Sequence, residues 1–362
     1  MTSSRSTGSS SVSGRGGVQL CLPVLAAVCV VALGCLSLFG GRIAAIRGFT
    51  GLVYLTALPW VGISLCLAGA GLAGATWVVL YRRGRGGPWR SVCALSALGL
   101  VLPAVLAAVP VPGTGPGAVG RLDQGKAGFS GSLRIVQANV LIDNSAWTDA
   151  VFSRLPEADA VFLAEASAET VRGELARRGL AEDYRVFVTA PEMGADTVLV
   201  IRSDLSPRPV HESLPYAAVG ATVTLQESPL RLIGVHTASP MARSPYQRAW
   251  ENTVSTAAEQ CRADSLVAGD FNAVWRQLGP RTMCHDAAGT LGAGGPGSWP
   301  SFAPRFLGAR IDHQIYDPAR LCPRAGELFD IPGSDHRGTD FDYAVSRRVG
   351  GTQEVATCTG RN

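Results

Sequence analysis

The sequence predicts an α+β layered domain, two packed sheets flanked by helices, preceded by three transmembrane helices. Three observations predict it. The first third of the chain holds three long apolar runs without a charged residue. The rest breaks into short apolar runs separated by turn residues. Only two segments of that remainder read as helices.

The apolar runs are Val18–Phe39, Leu52–Leu80 and Val92–Val109. Each approaches or exceeds the ~20 residues that cross a bilayer core as a helix. Three in succession argue against buried helices of a soluble protein. The two later runs argue against a cleaved signal peptide. Residues 1–117 contain eight arginines and no Lys, Asp or Glu. Arg5 and Arg15 lie in the N-terminal arm, Arg42 and Arg47 in the first loop, and Arg82, Arg83, Arg85 and Arg90 in the second. Placing the N-terminus inside puts six of them in the cytoplasm, as the positive-inside tendency favours. Three crossings then leave the C-terminal part outside. The expected organisation is a disordered cytoplasmic arm over 1–17, a three-helix membrane anchor over 18–110, a Gly/Pro-rich linker over 111–130, a folded domain over 131–350 and a tail over 351–362. A flexible linker of that length spans roughly 25 Å, which keeps the domain near the bilayer.

Charge and cysteine follow the same division. Residues 118–362 hold the other 24 basic residues and all 28 acidic ones, a net charge of −4. That balance argues against sequence-independent binding to nucleic-acid backbones, so no nucleic-acid partner is expected. Cys21, Cys29, Cys35, Cys66 and Cys93 lie in apolar runs, where cysteine serves as a small hydrophobe. Cys261, Cys284, Cys322 and Cys358 form an even set suited to disulfides in an oxidising compartment, with three pairings open. No Cys-x-x-Cys spacing suggests zinc.

Strand-like runs are Leu133–Val140, Ala160–Ala164, Arg185–Thr189, Thr197–Ile201, Ala218–Leu225, Leu230–His236, Leu266–Ala268, Ala309–Tyr316 and Phe341–Val345. Ala168–Arg178 and Tyr246–Cys261 read as helices. The glycine-rich Gly289–Ser298 reads as a loop.

Polar residues recur where apolar strands end: Gln137-Ala138-Asn139, Leu163-Ala164-Glu165, Gly234-Val235-His236-Thr237, Gly269-Asp270-Phe271-Asn272, Arg310-Ile311-Asp312-His313 and Ser334-Asp335-His336-Arg337. Loops at strand ends are where a rigid scaffold gathers distant side chains. Hard oxygen donors in this set suit Mg²⁺ or Mn²⁺. Taken singly, each residue has a plainer reading. Glu165 is a surface residue, Asp270-x-Asn272 an Asx turn, Asp312 an ion-pair partner of Arg310, His236 a core histidine and Asp335-His336 a loop pair. The ordered combination favours a site. His211, His285 and His313 belong to no motif. Arg248 and Arg337 are candidates for phosphate contacts, although exposed arginines usually carry no role.

This ordered set resembles the endonuclease/exonuclease/phosphatase superfamily, of DNase I-like fold, from about Leu133 to Val349. The resemblance implies a four-layer α/β/β/α sandwich and a metal-dependent phosphatase or phosphodiesterase. It implies Glu165 as the principal metal ligand, with Asn139 and Asp335 at the metal. It implies Asp270 as the residue positioning the attacking water and Asn272 as a donor to a phosphate oxygen. His336, oriented by Asp312, would contact the phosphate or act as a base, and His236 would protonate the leaving group. Two departures stand out: Leu141 occupies a position that is acidic in many nucleases, and the acidic partner of His236 has no obvious counterpart.

Three spans, a Gly/Pro linker and an outward domain are similar to the VanJ-type teicoplanin-resistance membrane proteins. That likeness implies hydrolysis of undecaprenyl pyrophosphate, or a related lipid-linked cell-wall intermediate, at the outer membrane face. The alternatives are an extracellular nuclease or sphingomyelinase-like phosphodiesterase, and a non-catalytic sensor of cell-wall intermediates.

Overall fold

The computed structural model describes residues 29–30, 32–33, 57–82, 129–189, 197–210, 212, 214, 217–240, 246–292, 297–346 and 358. Helix α1 (Pro59–Arg82) carries no charge before Arg82. Its Val61–Val79 stretch is long and apolar enough to cross a membrane. The first and third expected spans lie outside the described residues, apart from residues 29–30 and 32–33.

The folded domain begins at Phe129 and contains two six-stranded sheets. The first holds β1 (Phe129–Asn139), β2 (Ala160–Ala164), β3 (Tyr184–Val188), β4 (Thr197–Arg202), β11 (Leu321–Asp330) and β12 (Arg337–Ser346), in the order β11-β12-β1-β2-β4-β3. The second holds β5 (Arg208–Pro209), β6 (Ala218–Leu225), β7 (Ser228–His236), β8 (Ser265–Asp270), β9 (His285–Asp286) and β10 (Asp312–Tyr316), in the order β5-β6-β7-β8-β10-β9.

Side chains alternate across a strand, so each strand serves two layers. On the inner faces, Leu133, Ile135, Phe162, Leu199 and Phe341 from the first sheet pack with Val223, Leu232, Leu266 and Tyr316 from the second. The outer face of the first sheet, with Val136, Ala138, Val161, Leu163 and Val200, is covered by α2 (Thr148–Phe152) and α3 (Ala168–Arg177) through Val151, Phe152, Val171 and Leu175. The outer face of the second, with Ile233, Val235, Val267 and Ile315, is covered by α4 (Tyr246–Glu259) through Trp250, Val254 and Ala258. This is the expected four-layer α/β/β/α sandwich. Two one-turn helices, α5 (Trp275–Leu278) and α6 (Ala287–Thr290), lie in the loops around β8 and β9.

All nine expected strands form. Sequence reading missed β11, β5 and β9. Strand β11 carries Pro323, Arg324 and Glu327, which break an apolar pattern. It is an edge strand, where proline and charge are tolerated. The two-residue β5 and β9 are too short for any periodicity. In the glycine-rich stretch, Gly289 and Thr290 belong to α6, and residues 293–296 lie outside the described set. Two disulfides settle the open pairing as Cys261–Cys284 and Cys322–Cys358, the second tying the expected tail to β11.

Strand direction places the site. Within each sheet one parallel pair is central: β1 with β2, and β7 with β8. Parallel strands end together, so Asn139 pairs with Ala164 and His236 with Asp270. Antiparallel β10 begins opposite Asp270 at Asp312. Strand β12 begins at the same end, with Thr339 opposite Gln137. Six polar strand ends therefore meet at one end of the inter-sheet layer.

Candidate active site

Period-two alternation aims Gln137 and Asn139 into the same layer as Leu133 and Ile135. Both are fully buried. The Asn139 amide donates to Glu165 Oε1 at 2.9 Å and to Asp270 Oδ2 at 3.1 Å, bridging two carboxylates from different sheets. Glu165 Oε2 accepts from the Ile142 backbone N–H at 3.0 Å. Glu165 itself has φ 58°. A left-handed backbone at a non-glycine residue costs energy and persists where surrounding structure enforces it, typically at functional sites.

Asp270 follows Gly269, whose φ is 153° and whose position cannot take a side chain: a Cβ there would sit 1.8 Å from the Val235 carbonyl oxygen. The close approach of β7 and β8 thus needs glycine just before the carboxylate. Asp270 is buried, with Oδ2 3.7 Å from His336 Nε2 and 3.8 Å from His236 Nε2. His236 Nε2 also lies 3.7 Å from Glu165 Oε1. The other ring nitrogen of His236, Nδ1, is buried without a hydrogen-bond partner. This agrees with the absent acidic partner in the sequence.

Asn272 closes an Asx turn, its N–H donating to Asp270 Oδ1 at 2.7 Å with φ 46°. Its amide donates to the Thr237 carbonyl at 3.0 Å and reaches Asp270 Oδ2 at 3.4 Å. In this structure it braces the loop and Asp270. Asp335 is half-exposed; its Oδ2 accepts from Trp299 Nε1 at 3.0 Å and its Oδ1 lies 4.0 Å from His336 Nε2.

The best-ordered element is a buried hydrogen-bond chain ending on His336. Tyr343 Oη donates to Gln314 Oε1 at 2.9 Å, and Gln314 Nε2 donates to Thr339 Oγ1 at 2.9 Å. Thr339 Oγ1 donates to Gln137 Oε1 at 3.1 Å, and Gln137 Nε2 donates to Asp312 Oδ1 at 2.8 Å. Asp312 Oδ2 is 2.8 Å from His336 Nδ1. Every donor before Asp312 points towards it, so the carboxylate is held from one side and the imidazole takes the other. Sequence reading gave Gln137, Gln314, Thr339 and Tyr343 no role. The available signal was a glutamine at an inward position of an otherwise apolar strand.

Electrostatics separates the two aspartates. Burial pushes the Asp270 carboxyl upward; Asp312 adds to this, while His336 and His236 oppose it. Burial works the same way on Asp312, but His336 beside it and hydrogen bonds from Ser298 and Gln137 outweigh it and hold that carboxyl below its usual range. Burial disfavours the imidazolium of His336, yet Asp312 and Asp270 overcome it and its pKa is pushed up to about 10. The two neighbouring carboxyls are thus driven in opposite directions.

Asp270, Asp312 and His336 lie close enough to share an ion. Both Asp312 oxygens are already engaged by Gln137 and His336. The Glu165 and Asp270 side, bridged by Asn139, is the better cation position, because Glu165 is partly open to solvent whereas Asp312 is fully enclosed. The hydrogen bonds and ion pairs of Glu165, Asp270, Asp312 and Asp335 among the described residues include no Lys or Arg. A hard divalent cation fits this donor set. Of the two arginines singled out, Arg337 is buried and Arg248 is exposed on α4. Arg337 grips the carbonyls of Gly297, Pro300, Ser301 and Ala303, so it builds a loop and is not free for phosphate. His313 is buried between Asp286 Oδ1 at 3.0 Å and the Ala273 carbonyl at 2.9 Å, which anchors the loop after Asp270.

A two-sheet sandwich with carboxylates and histidines at one end defines a phosphoesterase-type domain with a candidate metal site. Residues 136–336 match the endonuclease/exonuclease/phosphatase family, and the chain belongs to it. Similar solved structures include a humanized TDP2 from D. rerio, 19% identical with TM-score 0.46, covering 59% of this chain and 99% of that one. An endonuclease/exonuclease/phosphatase family protein from Bacteroides thetaiotaomicron is 12% identical with TM-score 0.45, covering 60% and 97%. The inositol polyphosphate 5-phosphatase domain of SPsynaptojanin is 13% identical with TM-score 0.40, covering 60% and 85%. Among curated proteins none matches the chain.

Proposed function

We propose that the protein is a divalent-metal-dependent phosphohydrolase of the outer membrane face. Its substrate on this reading is undecaprenyl pyrophosphate or a related lipid-linked cell-wall intermediate, with a role in teicoplanin resistance. One observation carries the hydrolase reading: four carboxylates and two imidazoles converge at one end of the sandwich, and their hydrogen bonds and ion pairs among the described residues include no arginine or lysine. A phosphate group is repelled from such a site until a cation is bound.

Glu165 would hold Mg²⁺ or Mn²⁺ on the Asp270 side of the site, with Asn139 fixing both carboxylates and Asp335 adjoining from the His336 side. A divalent ion there supplies positive charge to the phosphate oxygens. Asp270, with its raised pKa, takes a proton from the attacking water. The water oxygen bonds to phosphorus while the bond to the leaving group breaks in line. Asp312 holds His336 so that Nε2 donates to a phosphate oxygen, where negative charge grows in the transition state. His236, whose Nε2 lies 3.8 Å from Asp270 Oδ2, would protonate the leaving group, although no residue orients its Nδ1. With undecaprenyl pyrophosphate the products are inorganic phosphate and undecaprenyl phosphate.

Two disulfides in the folded domain support an oxidising compartment. The apolar helix α1 supports membrane attachment. The reading is tested by incubating purified full-length protein with undecaprenyl pyrophosphate, sphingomyelin, inositol phosphates and plasmid DNA, each with Mg²⁺ or Mn²⁺. Phosphate release from the lipid pyrophosphate alone is expected; cleavage of DNA instead would replace the substrate assignment.

A further inference from the structure

Among the described residues of the folded domain, six large apolar side chains are strongly exposed: Ile142, Val188, Tyr246, Met283, Phe302 and Phe306. Scattered exposed apolar residues need no explanation, but a group gathered at one end of a domain does. Five of these six lie at the end of the sandwich that carries the site. Ile142 follows β1, and its N–H is bonded to Glu165. Val188 ends β3 and pairs with Val198, which pairs with Leu163 two residues before Glu165. Tyr246 opens α4, whose Trp250 donates to the Asn272 carbonyl and whose Thr253 accepts from the Ala238 N–H. Phe302 and Phe306 lie in the loop closed by the Trp299–Ala309 bridge, and Trp299 donates to Asp335. Only Met283 is at the opposite end, next to β9, which pairs with the far end of β10.

The two phenylalanines are the most telling. Their exposures are 87% and 77%, in a loop that is firmly built. The buried Arg337 guanidinium binds four carbonyls of residues 297–303, and Trp299 and Ala309 exchange both backbone hydrogen bonds. Fixing a loop so that two phenyl rings stand in water is unfavourable unless they are covered in the working protein. Exposed rings on a fixed loop suit a deformable apolar phase. The same chain carries α1, an apolar helix able to cross a membrane. Strand β1 enters at the far end and runs 11 residues, about 36 Å, to the site end. Residues 110–128, which precede it, reach up to roughly 60 Å when extended, so the chain length permits the site end to face the bilayer.

We infer that this end of the domain is a membrane-contacting face, with Phe302 and Phe306 inserted among lipid chains beside the mouth of the site. It would present a headgroup phosphate to Glu165 and Asp270 without removing the lipid from the bilayer. The inference rests on the lipid-phosphate reading above and adds the surface that meets the lipid.

The test uses the full-length protein in phosphatidylcholine–phosphatidylglycerol vesicles containing undecaprenyl pyrophosphate. A benzophenone amino acid replaces Phe306 in one sample and Glu182, exposed in the turn before β3 at the far end, in another. On irradiation, cross-linking to phospholipid is expected at Phe306 and not at Glu182. Cross-linking of Phe306 to a second protein chain, or equal lipid labelling at both sites, overturns the inference whether or not the enzyme turns over. In parallel, Phe302→Ser with Phe306→Ser is expected to lower the ratio of turnover on vesicle-borne lipid pyrophosphate to turnover on a water-soluble short-chain prenyl pyrophosphate by at least about tenfold, the low end for burying a single phenyl ring. An unchanged ratio also overturns it. Cross-linking to lipid with no phosphate release would leave the membrane face standing and remove the substrate assignment.

Discussion

The Asp312 carboxylate lies 2.8 Å from His336 Nδ1, with both residues buried. Its second oxygen is held by Gln137, so it has little freedom to follow any other partner. Replacing it by asparagine keeps shape and removes the charge. Asp312→Asn is expected to lower kcat by about 10²- to 10⁴-fold, the range for losing a correctly held acid or base. Thermal unfolding should show the variant folded. A loss under threefold would remove Asp312 from the mechanism.

Thr339 is remote from the proposed phosphate but joins Gln314 to Gln137. Thr339→Val removes the donor to the buried Gln137 Oε1 and one acceptor of the Gln314 amide, and is expected to cost about 1–3 kcal/mol of stability. It should lower kcat while KM stays close to wild type, and Thr339→Ser should restore kcat. Steady-state kinetics on the three proteins, with unfolding curves, separate positioning from plain destabilisation.

Glu165 is the expected anchor of the cation. Glu165→Gln retains the Asn139 contact in size but removes a formal charge. Calorimetric titration with Mn²⁺ is expected to show affinity reduced at least about tenfold, one decade being about 1.4 kcal/mol. Unchanged Mn²⁺ binding would move the metal to the Asp270 and Asp312 side.

The pH dependence of stability has a definite sign. His336 is raised from 6.5 to about 10, so in cation-free protein its contribution is complete below about pH 6.5 and lost as pH rises through 10. Melting temperatures in EDTA are expected to fall from pH 7 to 10, with the slope reduced in His336→Gln. At the acid end, burial opposes the Asp286 charge, but Arg310 and His313 hold its pKa down to about 2. Its contribution is present above about pH 3.8 and lost as pH falls towards 2.

Asp286 also tests the support behind the site. It is buried, bonds Arg310 and His313, and caps α6 through the Gly289 N–H. Asp286→Ala leaves Arg310 without that buried partner and is expected to destabilise by about 3–5 kcal/mol. Chemical denaturation measures it; a change under 1 kcal/mol would contradict the account.

Much of this was legible in the sequence because the strands are apolar and end in polar residues. Asn139 was legible as a polar strand end, whereas Gln137, on the same inward face as Leu133 and Ile135, gained its role only from the structure. The ordered Asn139, Glu165, His236, Asp270, Asp312 and His336 lie at six strand ends that strand pairing brings together. What stayed hidden depends on contacts between sheets. Gln314 and Tyr343 are unremarkable on their own strands and acquire meaning only beside Thr339 and Gln137. Arg337 was one of two arginines named as candidates for a phosphate contact; its burial against four carbonyls comes from the loop over 297–303, which no local pattern announces. The disulfide pairing likewise depended on where β9 and β11 lie, and those strands carry no clean alternation.

The central claim is metal-dependent phosphate hydrolysis at this site. The most direct measurement is inorganic phosphate release from undecaprenyl pyrophosphate by the full-length protein with Mg²⁺ or Mn²⁺, for wild type and His336→Ala side by side. Release that is abolished by EDTA and reduced at least about a hundredfold in the variant is the predicted result. Equal rates for the two proteins, or release indifferent to EDTA, would contradict it.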